Sequence, residues 1–407
     1  MKKQIILSVL LLTLLVLVGV QELQAQTVSQ GYFVGINGQQ RGPYDLNNLR
    51  ELIQNGTMTR TSLVWKEGMA NWVEASTVSE ISTLFVSTPP PLPSTAQPLP
   101  QTQSGGPVNW TAVSSSTFGS SINGIAWGNN AWVAVGYEGK IAYSSNGRTW
   151  TSVPSGTGAG QSTFPSHSGV LANSIWAVAW GNNKFVAGSN YGRLAYSADG
   201  RSWTAVADSG FSAGIFGIAW GNNRFVAGGR DGRIAYSADG ISWTAVADST
   251  FRNDDIYAFA YGNGRFVAVG DQGRMAYSAD GASWTRVANS TFGNDDILAI
   301  AWGNNRFVAG GYRGRMAYSA DGVSWTAVDM GSIFGTGNFD RISAIAWGNN
   351  RFVAVGFEGK MAYSTDGQSW TAVSNNRFGS ETIRAVAYGN GRFVAGGYNG
   401  RMAYADW

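Results

Sequence analysis

Two residue types that build many functional sites are absent or nearly absent from this 407-residue sequence. It contains no cysteine, which excludes disulfides, thiolate metal ligands, a cysteine nucleophile and a lipid-modified N-terminal cysteine. Its one histidine, His167, excludes a metal site made of several histidines from one chain. We therefore expect no metal site and no cofactor.

Charge is also scarce. Charged residues make up 13 % of the sequence and the formal net charge is +3, whereas an average protein has about 25 % charged residues. So weak a net charge gives little attraction to nucleic acid or acidic membranes, and we expect no nucleic-acid partner. Glycine (55 residues) and aromatic residues (13 %) are plentiful instead, which suits packed strands joined by tight turns.

Residues 1–25 have the pattern of an export signal. Lys2 and Lys3 precede an uncharged, mostly apolar run of 16 residues (5–20), and Ala25 offers a small residue for cleavage. The run is shorter than the roughly 20 residues of a membrane-spanning helix. We expect an exported bacterial protein, periplasmic, cell-surface or extracellular, without a membrane span after cleavage; an uncleaved anchor is the alternative.

A motif of Trp or Tyr followed by Gly-Asn occurs seven times between residues 127 and 390. The aromatic residues are Trp127, Trp180, Trp220, Tyr261, Trp302, Trp347 and Tyr388. A period near 40 residues with several short apolar runs per repeat is typical of a β-propeller blade. Each repeat reads as four strands joined by Gly- and Asn-rich turns. We predict an all-β, seven-bladed propeller over residues 108–407.

The two ends of this region predict how the ring closes. Residues 109–113 read as a fourth strand with no blade before it, and the last repeat lacks a fourth strand. A Trp-Thr pair marks each fourth strand, beginning at Trp110, Trp150, Trp203, Trp243, Trp284, Trp325 and Trp370. Seven first strands and seven fourth strands leave none over, so the N-terminal strand is expected to complete the last blade and remove an open sheet edge.

A second motif, Ser-x-Asp-Gly followed by Trp, lies between the third and fourth strands. Its aspartates are Asp199, Asp239, Asp280, Asp321 and Asp366, with Asn146 in the first copy. The motif resembles the Asp-box of sialidase-type BNR repeats, although it is one residue shorter. A short carboxylate that accepts turn amides predicts a structural role for these aspartates.

The resemblance to Asp-box propellers raises the possibility of a secreted sialidase-like glycoside hydrolase. That chemistry requires converging arginines, a tyrosine nucleophile and acidic partners. Most arginines here occupy repeat positions, including a basic residue that starts every third strand: Lys140, Arg193, Arg233, Arg274, Arg315, Lys360 and Arg401. These are structural, or they form a basic ring for an anionic ligand. Few candidates break the repeat: His167, Asp340, Arg341, Glu381, Asp254, Asp255, Asp295 and Asp296. We expect no enzyme activity.

The turn between the second and third strands varies from blade to blade within an otherwise repeated frame. Its residues are Tyr137, Glu138, Asn190, Tyr191, Arg230, Asp231, Asp271, Gln272, Tyr312, Arg313, Phe357, Glu358, Tyr398 and Asn399. Varied aromatic and charged side chains on a constant frame suit recognition; neutral drift of exposed turns is the alternative. We predict that this face binds a protein or glycan ligand.

Residues 31–86 have a different composition and contain Gly31-Tyr-Phe33, Gly42-Pro-Tyr44 and a Trp65 to Trp72 segment. This set resembles the bacterial GYF-like domain, a small α+β module whose eukaryotic relatives bind proline-rich peptides. The resemblance implies a peptide groove made by Tyr32, Phe33, Tyr44, Trp65 and Trp72; the same residues could instead be the core. Residues 87–107 hold seven of the ten prolines and read as a linker, which is itself a candidate ligand.

The sequence thus predicts an exported, non-enzymatic interaction protein: a signal, a GYF-like peptide-binding module, a proline-rich linker and a propeller scaffold. The secreted glycoside hydrolase is the alternative.

Overall fold

The structure is a computed structural model that describes residues 31–36, 39–54, 57–85, 109–154 and 174–406. The predicted signal (1–25), the proline-rich linker (87–107) and His167 lie outside the described residues. The chain divides into two compact units on either side of the boundary between residues 102 and 103. Within the described ranges, no helix combines the length and the hydropathy needed to cross a bilayer.

The first unit is a small α+β module. Strands β1 (Tyr32–Ile36), β2 (Gln39–Tyr44), β3 (Leu63–Trp65) and β4 (Val73–Glu74) form an antiparallel sheet in the order β2-β1-β3-β4. Helices α1 (Leu46–Gln54) and α2 (Ser79–Ser82) and two 3-10 turns, Ala75–Thr77 and Thr83–Phe85, complete it. Alternate residues of β1 point into one core with Leu49, Val64 and Ile81, because side chains alternate across a strand.

The second unit is a β-propeller, as predicted. Within the described residues 109–154 and 174–406, seven four-stranded antiparallel sheets form the blades. The first, innermost strands are β6 (Ile122–Gly128), β10 (Ile175–Gly181), β14 (Ile215–Gly221), β18 (Ile256–Gly262), β22 (Ile297–Gly303), β26 (Ile342–Gly348) and β30 (Ile383–Gly389). We number the blades 1 to 7 in that order.

The second strands are buried almost throughout. They are β7 (Ala131–Gly136), β11 (Lys184–Ser189), β15 (Arg224–Gly229), β19 (Arg265–Gly270), β23 (Arg306–Gly311), β27 (Arg351–Gly356) and β31 (Arg392–Gly397). The third strands are β8 (Ile141–Ser144), β12 (Leu194–Ser197), β16 (Ile234–Ser237), β20 (Met275–Ser278), β24 (Met316–Ser319), β28 (Met361–Ser364) and β32 (Met402–Asp406).

The fourth strands are short and exposed, and one of them precedes all the blades in sequence. They are β5 (Thr111–Ala112), β9 (Thr151–Ser152), β13 (Thr204–Ala205), β17 (Thr244–Ala245), β21 (Thr285–Arg286), β25 (Thr326–Val328) and β29 (Thr371–Ala372). Strand β5 pairs with β32, so blade 7 has the order β30-β31-β32-β5. The predicted closure by an N-terminal fourth strand is confirmed.

The Trp-Gly-Asn motif explains how the blades pack. A Cβ atom added to Gly128 would lie 2.0 Å from the Trp180 ring of the next blade, so only glycine fits there. The contact recurs around the ring and ends with Gly389 of blade 7 against Trp127 of blade 1. Each aromatic ring also packs on the following strand of its own blade, as Trp180 does on Phe185 with ring centroids 4.6 Å apart. The motif therefore joins neighbouring blades and closes the ring.

Candidate functional site

Every first strand carries a β-bulge at its second residue. In blade 2, Ile175 pairs with Ser189 and Ala177 pairs with Gly188, which leaves Trp176 without a partner in the ladder. The same shift occurs in the other six blades. The seven bulge residues are Asn123, Trp176, Phe216, Tyr257, Leu298, Ser343 and Arg384. A bulge changes the direction of a side chain, and here it directs one side chain per blade towards the central channel.

The seven bulge residues line a cavity of about 850 Å³ at the mouth of this channel, which we call the funnel. Turns between second and third strands contribute Tyr137, Glu138, Asn190, Tyr191, Arg230 and Tyr312, and connectors between blades contribute Ser174, Asp255 and Arg341. A second cavity of about 190 Å³ is lined by the same bulge residues and by the two residues that follow each of them. The funnel is within the usual size range of ligand sites, about 300–1,000 Å³.

One wall of the funnel is aromatic. Tyr137 contacts Trp176 edge-on with ring centroids 5.9 Å apart, and Trp176 contacts Phe216 in the same manner at 6.0 Å. Phe216 and Tyr257 are stacked at 5.9 Å. The rings come from four consecutive blades and form a continuous arc. Leu298, Ser343, Arg384 and Asn123 occupy the remaining bulge positions, so the funnel is asymmetric although its frame is nearly symmetric.

Three arginines of the funnel lie over aromatic rings. The guanidinium of Arg384 is 4.8 Å from the centroid of Trp176 and 5.3 Å from that of Tyr398. Arg230 lies over Phe216 at 5.9 Å, and Arg341 over Phe357 at 5.1 Å. None of the three forms an ion pair with a carboxylate in the part of the chain that the structure describes. Arg341 Nη1 donates to the carbonyl of Phe339 at 3.3 Å and Arg384 Nη1 to the Tyr398 hydroxyl at 3.4 Å. A guanidinium group has five N–H donors, so further donors of both side chains can serve an anionic ligand.

Aspartates cluster beside the funnel at blades 3 and 4, and Asp255 is the one of this cluster that lines it. Asp255 accepts the backbone N–H of Asp231 at 3.0 Å, and Asp271 accepts that of Asp255 at 3.0 Å. Burial raises the pKa of Asp255, and the nearby Asp271 charge adds to the rise. Burial and the adjacent Asp271 carboxylate raise the pKa of Tyr257 above its ordinary value. Among the described residues, no group of three acidic or histidine side chains is arranged to hold a metal ion.

The structure places six of the fourteen predicted turn residues in the funnel, namely Tyr137, Glu138, Asn190, Tyr191, Arg230 and Tyr312. The other eight lie outside its lining. Tyr398 and Phe357 support Arg384 and Arg341, while Asp231 and Asp271 make the contacts described above. Gln272 and Asn399 donate to Asp254 and Glu381 at 3.1 and 3.0 Å. Arg313 and Glu358 pair with Asp295 and Lys360 at 3.4 and 3.9 Å.

Sequence reasoning missed the bulge residues, although a signal was present. An isoleucine precedes the bulge in all seven blades, whereas the bulge residue differs in every one. The other positions of the first strand change only between similar residues. One strongly variable position inside such a repeated strand is the pattern expected of a side chain that faces a ligand rather than the core.

Three of the seven basic residues at the starts of the third strands donate to phenylalanine carbonyls of the connectors between blades. Arg274 and Arg401 each donate to a phenylalanine carbonyl at 2.8 Å, in Phe251 and Phe378. Lys360 donates to the carbonyl of Phe334 at 3.1 Å. These contacts favour the structural interpretation over the basic ring.

The predicted Asp-box aspartates lie in the turns between third and fourth strands, on the face away from the funnel. In blade 3, Asp239 Oδ1 accepts the backbone N–H groups of Ile241 and Ser242 at 2.8 Å each and the Ser237 hydroxyl at 2.9 Å. Partial burial opposes ionisation, but these donors together hold the pKa of Asp239 below its usual value. The pKa values of the other four aspartates are also lowered, and their carboxylates accept equivalent hydrogen bonds.

In the first unit, the five predicted aromatic residues divide between core and surface. Tyr32 is 3 % exposed and Tyr44 packs against the same core, which is the alternative that the sequence left open for them. Phe33 and Trp65 lie together on the other side of β1, with ring centroids 6.0 Å apart. Trp72 is exposed. Phe33, Trp65 and Trp72 therefore remain as candidates for a peptide surface.

The protein thus consists of a small α+β module and a β-propeller with a funnel at the mouth of its central channel. Residues 32–81 match the family described as GYF domain 2, which confirms the predicted domain type. Among curated proteins, no sequence is significantly similar to the chain.

Solved structures similar to the chain are β-propellers. YCF48 from Cyanidioschyzon merolae has a TM-score of 0.55 and 17 % identity, covering 73 % of this chain and 98 % of its own. YCF48 bound to D1 peptide has a TM-score of 0.55 and 16 % identity, with 74 % and 97 % covered. A streptogramin B lyase has a TM-score of 0.59 and 9 % identity, with 74 % and 97 % covered. At these identities the likeness shows the fold, and the resemblance to sialidase-type repeats stays a prediction.

Proposed function

We propose that the chain is an exported, non-enzymatic interaction protein whose propeller binds a polypeptide ligand in the funnel. The observation that carries this proposal is the ring of seven bulge residues. Bulges place one side chain from each blade at the same level of the channel mouth, and these side chains differ from one another while the frame around them repeats. A repeated frame that presents a non-repeating surface is suited to recognising one asymmetric ligand.

The chemistry of the funnel favours a polypeptide. Its wall offers Trp176, Phe216 and Tyr257 beside Arg384, and tryptophan, tyrosine and arginine are the residues that dominate protein interfaces. The rings can bury apolar side chains, and the Arg384 guanidinium, which forms no ion pair within the described residues, can bind a carboxylate. The YCF48 propeller bound to D1 peptide shows that a similar fold holds a peptide. A glycan that stacks on the same rings is the other ligand class compatible with this wall.

One observation favours the hydrolase alternative. Arg230, Arg341 and Arg384 line the same funnel as Asp255 and Tyr257, which are the residue types that a sialidase-like site requires. Against it, each guanidinium lies over a ring of the protein itself. The raised pKa of Tyr257 also disfavours the phenolate that a tyrosine nucleophile needs. The interaction function therefore fits the geometry better.

The first unit supplies a second binding module in this proposal. Phe33, Trp65 and Trp72 form its partly exposed aromatic surface, and aromatic grooves accept proline-rich segments in the polyproline II conformation. The proline-rich residues 87–107 of the same chain are one such segment. The export pattern of residues 1–25 supports our proposal that both modules act outside the cytoplasm of a bacterial cell.

The proposal is tested by selecting ligands with the full-length protein. A phage-displayed library of random peptides about 16 residues long, or about 50 Å when extended, is panned against the wild type and against Trp176→Ala. We expect related peptides to be enriched on the wild type and not on the variant. A fluorogenic sialoside incubated with the wild type is expected to stay intact. Equal enrichment on both proteins, or no enrichment on either, contradicts the proposal, and release of the fluorophore supports the hydrolase.

A further inference from the structure

The connector between blades 5 and 6 (329–341) is longer than the connectors that follow blades 2, 3, 4 and 6. Each of the connectors that follow blades 3, 4 and 6 contains a buried phenylalanine. Four residues separate it from the isoleucine that begins the first strand of the next blade, as between Phe251 and Ile256. Between Phe334 and Ile342 there are seven. The extra residues carry Phe339, which is 74 % exposed, whereas the other exposed large hydrophobic residues of the described chain range from 36 % to 47 %.

Hydrogen bonds hold this connector in place on both sides of Phe339. The carbonyl oxygen of Asp340 accepts the backbone N–H of Arg313 at 2.6 Å. The Asp340 carboxylate accepts the backbone N–H of Gly337 at 2.8 Å and the Lys360 ammonium at 2.7 Å. Arg341 Nη1 donates to the carbonyl of Phe339 at 3.3 Å. Phe339 is thus presented to solvent by a fixed backbone, and its binding requires little ordering of the loop.

Phe339 is close in sequence to the funnel lining, although it is not part of that lining. Arg341 lines the funnel two residues further along the chain, and it pairs with Tyr312, which lines the funnel as well. On blade 2 the funnel rim carries Tyr191, which is 42 % exposed. In a ring of seven blades, blade 2 and the junction of blades 5 and 6 are three and a half blades apart, which is half of the ring. A straight path from Tyr191 to Phe339 therefore crosses the funnel.

We infer that the polypeptide ligand crosses the funnel as an extended segment and buries an apolar side chain against Phe339, outside the funnel. The inference rests on the proposed function and adds the path and the second anchor of the ligand. A ligand held at both the funnel and Phe339 must present several residues in extended form, because each residue adds about 3.3 Å. We infer an apolar partner because the phenylalanine ring is a large apolar surface that carries no charge and no N–H or O–H group.

The test measures the dissociation constant of one enriched peptide for the full-length wild type and for single variants. Phe339→Ala is expected to weaken binding about tenfold or more, because it removes an aromatic anchor. Phe339→Leu keeps an apolar side chain and is expected to retain most of the affinity. Ile241→Ala serves as a matched control, because Ile241 is an exposed apolar residue in a turn on the opposite face. The thermal midpoint is expected to stay unchanged in all three variants.

The outcomes separate this inference from the proposed function. If Trp176→Ala loses the peptide and Phe339→Ala binds it like the wild type, the funnel is the site and the second anchor is wrong. If neither variant loses affinity, the proposed function fails and this inference fails with it. A selection that enriches no peptide also contradicts both the proposed function and this inference. If Ile241→Ala loses as much affinity as Phe339→Ala, the effect is not specific to the rim and the inference is overturned.

Discussion

Asp239 illustrates how single side chains organise the turns on the face away from the funnel. One carboxylate oxygen accepts two backbone N–H groups and a serine hydroxyl, and the Ser237 hydroxyl in turn accepts the N–H of Gly240 at 2.8 Å. In blade 1, Asn146 Oδ1 accepts the corresponding N–H groups of Arg148 and Thr149 at 2.8 and 2.9 Å. The turn therefore forms with or without a negative charge, and the charge strengthens it.

The negative charge of Asp239, which the Asn146 turn lacks, predicts how acid affects stability. The folded-state pKa of Asp239 is lowered, so its contribution is complete above the unfolded-state pKa of about 3.9 and is lost as the pH falls through the folded-state pKa. Asp239→Asn is expected to lower the free energy of unfolding by about 1 kcal/mol at neutral pH. The loss should shrink as the pH falls from neutral through the folded-state pKa. Urea unfolding of both proteins across this range measures the change.

Blade 1 supplies the reciprocal control. Asn146→Asp introduces the charge where the chain has none, and it is expected to stabilise the protein at neutral pH and to make it more sensitive to acid. A stability difference between Asp239→Asn and the wild type that stays constant down to low pH would show that the charge is not responsible.

For single residues, the sequence predicted the structural turn residues better than the residues that line the funnel. The turn aspartates could be assigned a structural role because a short carboxylate next to glycine has few other uses in a turn. The bulge residues were missed because register is not visible in a strand pattern: Trp176 looks like one more apolar residue of an alternating strand until its neighbours are seen to pair without it.

Among the elements, the hairpins between first and second strands link one blade to the next. Asn222 and Asn223 have φ values of 44° and 55°, the left-handed conformation that two-residue hairpins of type I′ require and asparagine tolerates. The Asn222 side chain donates to the carbonyl of Ala279 in the next blade at 3.1 Å. The equivalent asparagines of blades 1, 2, 4 and 5 also donate to a backbone carbonyl of the next blade. The asparagine thus has both a conformational and a linking role.

The linking role can be separated from the conformational one. Asn222→Gly keeps the positive φ accessible and removes the bond to Ala279, and it is expected to lower the free energy of unfolding by about 0.5–1 kcal/mol. Asn223→Gly reproduces the Asn263-Gly264 hairpin that blade 4 already uses, and it is expected to be nearly neutral. Equal losses for the two variants, measured by urea unfolding, would contradict a link between blades.

At the scale of the whole molecule, stability depends on closing the ring. Trp110 is fully buried, and its carbonyl oxygen accepts Arg377 Nε at 2.8 Å. Val113 donates its N–H to the carbonyl of Met402 at 2.9 Å. These contacts join the beginning and the end of the propeller across nearly 300 residues of sequence, so the last blade is complete only after the whole domain has been made.

Loss of the closing contact is expected to open the ring locally. Trp110→Ala should lower the free energy of unfolding by about 3–5 kcal/mol, because it empties a fully buried site. It should also expose residues 109–116 to proteinase K, with the cleavage mapped by mass spectrometry. Trp284→Ala, in the middle of the domain, is the control: it is expected to destabilise the protein without exposing this segment. Equal protection of residues 109–116 in the two variants would argue against closure by β5.

The whole-molecule architecture was the part most accessible from the sequence. The repeat period, the count of first strands and the unpaired strand at residues 109–113 together predicted a closed propeller, because a four-stranded blade with two apolar faces must be covered on both sides. The asymmetry of the funnel and the position of Phe339 could not be predicted in the same way, since they depend on the residues that break the repeat.

The most direct test of the central claim, that the funnel binds a polypeptide, is calorimetric titration of one enriched peptide into the wild type, Trp176→Ala and the opposite-face control Ile241→Ala. Trp176 contacts Tyr137, Phe216 and Arg384 at the centre of the proposed site. The account predicts a dissociation constant for Trp176→Ala that is weaker by about tenfold or more, and an unchanged value for Ile241→Ala. Equal affinity of the wild type and Trp176→Ala would contradict it.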